Sequence, residues 1–407
     1  MSTTRSRRSW LAVSAALASA SFVLAGCSSS GSADSGDSGD SDPIVIGVAS
    51  AQTGFFSGFD GPVKNAIDLA VAKVNADGGL LGRQLEVVVS DTKSDVELSA
   101  SAAIDVLDQG ADFVVTMCDY NLGAPAATEA QKAGKIALSC AGSALFGPVG
   151  VGPLAFSVNE SSTTQASVGA QFASDQGWKT AYLLGDTGED FTSSWCAAFK
   201  ETFTDLGGEI VGEDTFVQGD TTVAPQVSTL SSSGVTPDVI ALCGYPPTGS
   251  TAVGQLRSAG ITAPIVTTSG FDGPGWLEAV PGVSDVYAVA SASIYGDDPN
   301  PDINDLVASY TEEYGDPATS YLVYGDAMVQ EIVDAVTKAG STEGTEVGAA
   351  LDAFSEQETI LGPTTYTAGC HVALGRPMRI IEYGEGTGAY LDTVTASTKI
   401  LPEGCTE

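Results

Sequence analysis

The chain has 407 residues, and 51 acidic against 16 basic side chains give it a formal charge of −35 at pH 7. Such a surface is repelled by nucleic-acid phosphates and by anionic lipid headgroups, which sets both aside as partners. The length exceeds one ordinary hydrophobic core and fits two lobes.

Arg5, Arg7 and Arg8 precede an apolar, Ala-rich run over residues 10–24, too short to span a bilayer as a helix. The run closes on Leu24-Ala25-Gly26-Cys27, which resembles a bacterial lipobox, where the cysteine is acylated and becomes the mature first residue. This makes residues 1–26 a lipoprotein signal peptide and residues 27–42 the acylated Cys27 with a flexible Ser/Gly/Asp tether. The body is then expected outside the cytoplasm, lipid-anchored to the cell membrane of a bacterial envelope. Arg7-Arg8 also resembles the twin-arginine export pattern, so both export routes stay open. The tether's aspartates lack the ligand pattern of a calcium loop, and no metal site is expected. With Cys27 lipidated, Cys118, Cys140, Cys196, Cys243, Cys370 and Cys405 form an even set, which reads as three disulfides in an oxidising compartment with the connectivity open.

From Ile44 onward, short β-branched runs alternate with amphipathic stretches. Strands are predicted over 44–49, 85–90, 113–117 and 136–139, with helices over 61–75, 96–109 and 124–133 between them. Near-continuous apolar strands of this kind suit a parallel sheet covered on both faces. The pattern restarts with helices over 163–176, 191–206, 225–233 and 249–259 and strands over 180–184, 209–216, 239–243 and 265–267. Helices over 303–314, 322–339 and 347–354 follow, then extended segments over 364–366 and 379–382. The fold class is therefore α/β, with two doubly wound Rossmann-like lobes joined by a multi-strand hinge. Lobe 1 is expected from 43–158 plus 290–362, and lobe 2 from 159–289 plus 363–407. Such a pair of lobes opens and closes around a ligand.

Several motifs resemble one family. Ile44-Val45-Ile46-Gly47-Val48 followed by Gln52-Thr53-Gly54 is similar to a first strand and ligand loop, and Asn75-Ala76-Asp77-Gly78-Gly79-Leu80-Leu81-Gly82-Arg83 to a helix-end signature. Pro237-Asp238-Val239-Ile240 with Gly244-Tyr245, and Leu361-Gly362-Pro363-Thr364, resemble later strands and turns of the same family. That family is the type I periplasmic binding proteins, in the leucine/isoleucine/valine-binding branch, and the resemblance covers about residues 44 to 400. It implies a solute-binding lipoprotein of an ABC importer, monomeric and without a cofactor, that captures a small solute and docks on permease subunits driven by cytoplasmic ATPases. A branched-chain or other apolar amino acid is the first expected solute; short amides, urea-like compounds and small carboxylates come next, as does a sensing role that feeds a receptor.

By the resemblance, the loop Cys118-Asp119-Tyr120-Asn121 replaces serines that contact ligand, and Asp119 or Asn121 could equally cap the following helix. Ala141, Gly142 and Ser143 fall on a second ligand loop. Phe191 and Tyr245 take ligand-facing aromatic positions of lobe 2, Phe59 adds apolar cover, and Phe271 and Asp272 follow the strand whose loop usually holds the ammonium. Gly270 aligns better than Asp272 with that family acid. Cys118 with Cys140, Cys196 with Cys243, and Cys370 with Cys405 are the pairs this fold would favour. No enzyme motif is present: there is no G-x-S-x-G elbow, P-loop or HExxH, and no catalytic residue is assigned. His371 reads as a surface histidine beside a disulfide, and Gly384-Glu385-Gly386-Thr387-Gly388 as a superficial likeness to a dinucleotide loop.

Overall fold

In the computed structural model, residues 42–398 and 400–405 are described. Cys27, the lipobox and residues 28–41 of the tether lie outside them.

The first lobe begins with β1 (Ile44–Ser50), α1 (Ser57–Ala76), β2 (Leu85–Asp91), α2 (Val96–Asp108), β3 (Phe113–Thr116), α3 (Tyr120–Lys132), β4 (Ile136–Ser139) and β5 (Ala155–Glu160). The chain then builds the second lobe from α4 (Ser162–Asp175), β6 (Thr180–Asp186), α5 (Asp190–Asp205), β7 (Glu209–Phe216), α6 (Ala224–Ser233), β8 (Val239–Cys243), α7 (Thr248–Ser258), β9 (Ile265–Thr267) and β10 (Val286–Ala290). It returns through α8 (Pro301–Tyr314), α9 (Leu322–Ala339), α10 (Gly344–Asp352), β11 (Gln357–Thr359), β12 (Gly362–Thr364) and β13 (Val372–Ala373), and ends on β14 (Met378–Gly384) and β15 (Thr387–Val394).

Two large sheets result, ordered β13-β5-β4-β3-β1-β2 and β15-β14-β10-β9-β8-β6-β7, beside the small antiparallel pair β11-β12. The first is parallel throughout, and the second is parallel except where β14 runs against β10 and β15. The central strands are buried on both faces, which is why they read as unbroken apolar runs, whereas edge strands β2 and β7 are partly exposed. Helices α1 and α9 pack together over the first sheet. A Cβ on Gly325 would stand 2.2 Å from the Val63 carbonyl oxygen, so glycine there lets the two backbones meet.

The signature ending at Arg83 is a structural clasp. Asn75 exchanges hydrogen bonds with the backbone of Leu85 at 2.7 and 2.9 Å, and the Arg83 guanidinium donates to the carbonyls of Asp42 and Pro43. These bonds fasten the end of α1 to the first residues of β2 and to the chain entering β1.

Two expectations need correction. Residues 363–373 do not pass to lobe 2: Val372 pairs with Ser157, and the Ser157 N–H donates to the His371 carbonyl at 2.7 Å, so the last crossing falls at 374–377. Cys405 likewise packs with Ala144, Cys370 and Val372 on the first lobe. His371 is buried rather than on the surface, stacked on Phe156 at 3.9 Å, with Nδ1 against the Ala155 carbonyl and Nε2 against Asp352. The glycine-rich run after residue 383 is the turn of the β14–β15 hairpin. Cys118 and Cys140, Cys196 and Cys243, and Cys370 and Cys405 stand as pairs within bonding distance, with Cα separations of 4.5, 5.4 and 5.0 Å.

Candidate ligand site between the lobes

Ligands of open α/β sheets sit beyond the carboxyl ends of the strands. Here the loops leaving those ends converge on one small cavity of about 20 Å³, nearly filled by its own lining. Phe56 and Phe59 enter after β1, Cys118, Asp119 and Tyr120 after β3, Gly142 and Ser143 after β4, and Asn159 from β5. The second lobe adds Phe191 after β6, Tyr245 after β8 and Gly270 after β9, and Tyr321 stands at the head of α9.

The rings form a connected set. Phe59 lies 5.0 Å from both Phe56 and Tyr321, and the Tyr245 ring of the other lobe meets Phe59 edge-on at 6.3 Å. At the rim, the Ser143 hydroxyl donates to Asp190, and the Asp190 N–H donates to Asn121 Oδ1 at 3.4 Å. The lobes therefore touch across the mouth, and this is the closed arrangement.

Acidic groups dominate the electrostatics. Asp119 caps α3 through the Leu122 N–H at 2.9 Å while lining the cavity, so the two roles left open by the sequence coexist. Burial pushes its carboxyl up to about 6, with Asp190 and Asp186 adding repulsion. Glu189, at the head of α5, is pushed up to about 8 by burial and then by Asp119 and Asp186. Asp60 binds the N–H groups of Ala51 and Cys118 at 2.8 and 3.1 Å, joining the β1 and β3 loops, and burial raises it to about 7. Asp186 accepts from Gly188 and Gln218 N–H and from Thr192, so its oxygens are occupied by the chain itself. None of the described residues lining the cavity is basic.

Phe59, Asp119, Tyr120, Gly142, Ser143, Phe191 and Tyr245 thus come together at the cavity. Four expected residues do not line it. The Ala141 backbone is spent on Ser139 and Ser157, and Asn121 latches the rim. Phe271 packs against Trp276 inside lobe 2, and Asp272 is buried with Ser320 as its partner. The cause is a 3-10 turn over Ser269–Phe271, whose tight rotation leaves Gly270 facing the cavity and turns its neighbours inward. Sequence reasoning missed Asn159 and Tyr321 as lining residues, and took Cys118 as a disulfide partner and Gly270 as an alignment position.

Gly270 also explains why no acid occupies that position. A Cβ there would stand 2.4 Å from Tyr245 Cβ. Gly270→Ala should therefore displace the Tyr245 ring and cost about 1–3 kcal/mol, read as a lower urea midpoint. An unchanged midpoint would mean that the two loops separate freely.

The pattern of the family described as "Periplasmic binding protein" matches residues 43–388. Leu/Ile/Val-binding protein homolog 2 of Brucella abortus is 23% identical over 355 residues, spanning 84% of this chain and 91% of its own. Leu/Ile/Val-binding protein BraC3 of Rhizobium johnstonii is 25% identical over 340 residues, spanning 79% and 87%. Among solved structures, the substrate binding protein LivJ of Streptococcus pneumoniae in complex with isoleucine superposes with a TM-score of 0.75 at 23% identity, covering 88% of this chain and 100% of that one. A solute binding protein of Rhodopseudomonas palustris in complex with benzoate gives 0.72 at 18% identity, covering 89% and 99%. The likeness to these structures fixes the fold and leaves the solute to the residues of the cavity. The chain belongs to the periplasmic binding protein family and is a binding protein rather than an enzyme.

Proposed function

We propose that this protein captures a small solute outside the cytoplasm and delivers it to the permease of an ABC importer, held at the membrane by an acylated Cys27. The observation that carries the reading is the aromatic, acid-bearing cavity walled by both lobes and touched shut at the rim. A solute bonded to both lobes favours the closed state, and a closed state is what a permease can distinguish from an empty carrier. The rings call for an apolar body, and the carboxyls call for a positively charged nitrogen. Apolar amino acids, the first class expected from the sequence, carry both features together with a carboxylate. Three cysteine pairs suit an oxidising compartment.

A thermal-shift screen of residues 41–407 against amino acids, amines, amides, small carboxylates and sugars tests the reading. A solute at a hundred times its dissociation constant adds about 2.7 kcal/mol and should raise the melting temperature visibly. A melting temperature unmoved by every class in the panel would sink solute capture.

A further inference from the structure

The cavity has an acidic pole and no basic one. A solute carboxylate in this fold would be received by free N–H groups at a helix N-terminus and by loop hydroxyls. Both are already taken. The Asp119 carboxylate occupies the head of α3, accepting from Leu122 at 2.9 Å and from the Asn121 N–H. The Ser143 hydroxyl is committed to Asp190. A second carboxylate entering here would meet Asp119, Asp190 and Glu189 with no lysine, arginine or histidine among the described lining residues.

The groups at this pole favour the opposite charge. Tyr245 is only 5% exposed and lines the cavity, and its hydroxyl stands in hydrogen-bonding reach of the Glu189 carboxyl. Glu189 Oε2 is buried with no other donor. Tyr245 Oη lies in the field of Glu189, Asp119 and Asp186, so these oxygens share one region. A phenol oxygen and a carboxylate both accept from an ammonium, which carries donors only. Around them Phe56, Phe59, Phe191 and Tyr321 offer ring surface, which attracts a cation electrostatically and covers an apolar body. Gly270 excludes an acid on its own side, since its Cβ would strike Tyr245, so the acid that lines the cavity is Asp119, with Glu189 buried beside Asp119 and Tyr245.

From this arrangement, and resting on the solute-capture reading above, we infer that the solute is a small organic ammonium ion with an aliphatic or aromatic body and no carboxylate. The ammonium is held between Asp119, Glu189 and the Tyr245 hydroxyl, and the body lies among the phenylalanine rings.

The test is calorimetric titration of the protein with three matched probes: 3-methylbutylamine, leucine and 4-methylpentanoate. They share one aliphatic body and carry the amine alone, both charged groups, and the carboxylate alone. The amine should bind at least tenfold tighter than leucine, and the carboxylate should give no heat. Asp119→Asn keeps a side chain that caps a helix equally well, so the variant should fold normally and lose at least tenfold in amine affinity. Glu189→Gln serves as a second variant with the same expectation. Leucine binding as tightly as the amine would overturn the inference and leave solute capture standing, as would binding of 4-methylpentanoate. Amine affinity unchanged in both variants would also overturn it, because the acidic surface would then be holding the probe elsewhere. Silence from all three probes, with a thermal shift from an amide or a sugar, would overturn the cation assignment alone; silence from the whole panel would remove solute capture with it.

Discussion

Replacing Arg376 by methionine should cost about 3–5 kcal/mol of folding free energy, seen as a lower urea midpoint. Arg376 lies in the last crossing between the lobes and is 5% exposed; its partner Glu160, at the end of β5, is 3% exposed. The Arg376 Nε donates to Glu160 and its Nη2 to the Val158 carbonyl at 2.7 Å, while the Gly375 N–H donates to the other Glu160 oxygen at 3.2 Å. A second buried pair, Arg379 with Asp298 at 3.0 Å, joins the last crossing to the one after β10. Between them the two pairs fasten all three interlobe connections. Loss of the guanidinium strands the Glu160 charge and also removes the cation that favours ionisation of buried Glu331. Adding Glu160→Gln should recover part of the loss, because the stranded charge goes with it. A loss under about 1 kcal/mol for the single change would show that water reaches the pair.

The same residues show where sequence reading stops. Strand β5 was not predicted because Ser157, Asn159 and Glu160 are polar, yet all three are buried and bonded at the hinge. Apolar periodicity reports burial against a greasy face, and it is silent where a strand is buried among hydrogen bonds. Strand β13, two residues long, and the exposed β15 hairpin carry even less signal. The central strands β1, β3, β4 and β8 were legible because nothing but apolar side chains suits burial on both faces. In the site, Asp119, Ser143 and Tyr245 were expected from the family resemblance, and all three stand just beyond strand ends. Tyr321 was not, because it reaches the cavity from the head of α9, more than a hundred residues along the chain from the first-lobe loops it joins. Phe271 and Asp272 were misplaced by one short turn whose rotation no spacing rule reports.

Raising the pH from 5 to 8 should lower the unfolding free energy of the unliganded protein. Burial pushes the carboxyls of Asp60, Asp272 and Glu331 up to about 7, Asp119 to about 6 and Glu189 to about 8. In the unfolded chain such groups titrate near ~4. Between these values the folded state holds more protons than the unfolded one, so stability is greatest below the unfolded pKa and falls as pH passes through the folded values. Each excess proton contributes about 1.4 kcal/mol per pH unit to the slope. The opposite contribution lies outside the window. At Asp91, hydrogen bonds from Thr53, Lys93 and Gln52 outweigh burial, and at Asp238 the Lys179 N–H dominates; both are held below the ordinary range and lose their benefit only in stronger acid. Urea midpoints at constant ionic strength, taken at pH 5, 6, 7 and 8, measure the slope, and a flat or rising profile would mean that the buried carboxyls are ionised in the folded protein. The cavity groups can be separated from the rest. Asp119 faces Asp186, Asp190 and Glu189, and Glu189 faces Asp119, Asp186 and Tyr245, so an ammonium between them restores their ionisation and expels their protons. Saturating 3-methylbutylamine should therefore flatten the part of the slope that belongs to Asp119 and Glu189, and its affinity should rise with pH. The part set by Asp60, Asp272 and Glu331, which an ammonium at that pole does not neutralise, should remain.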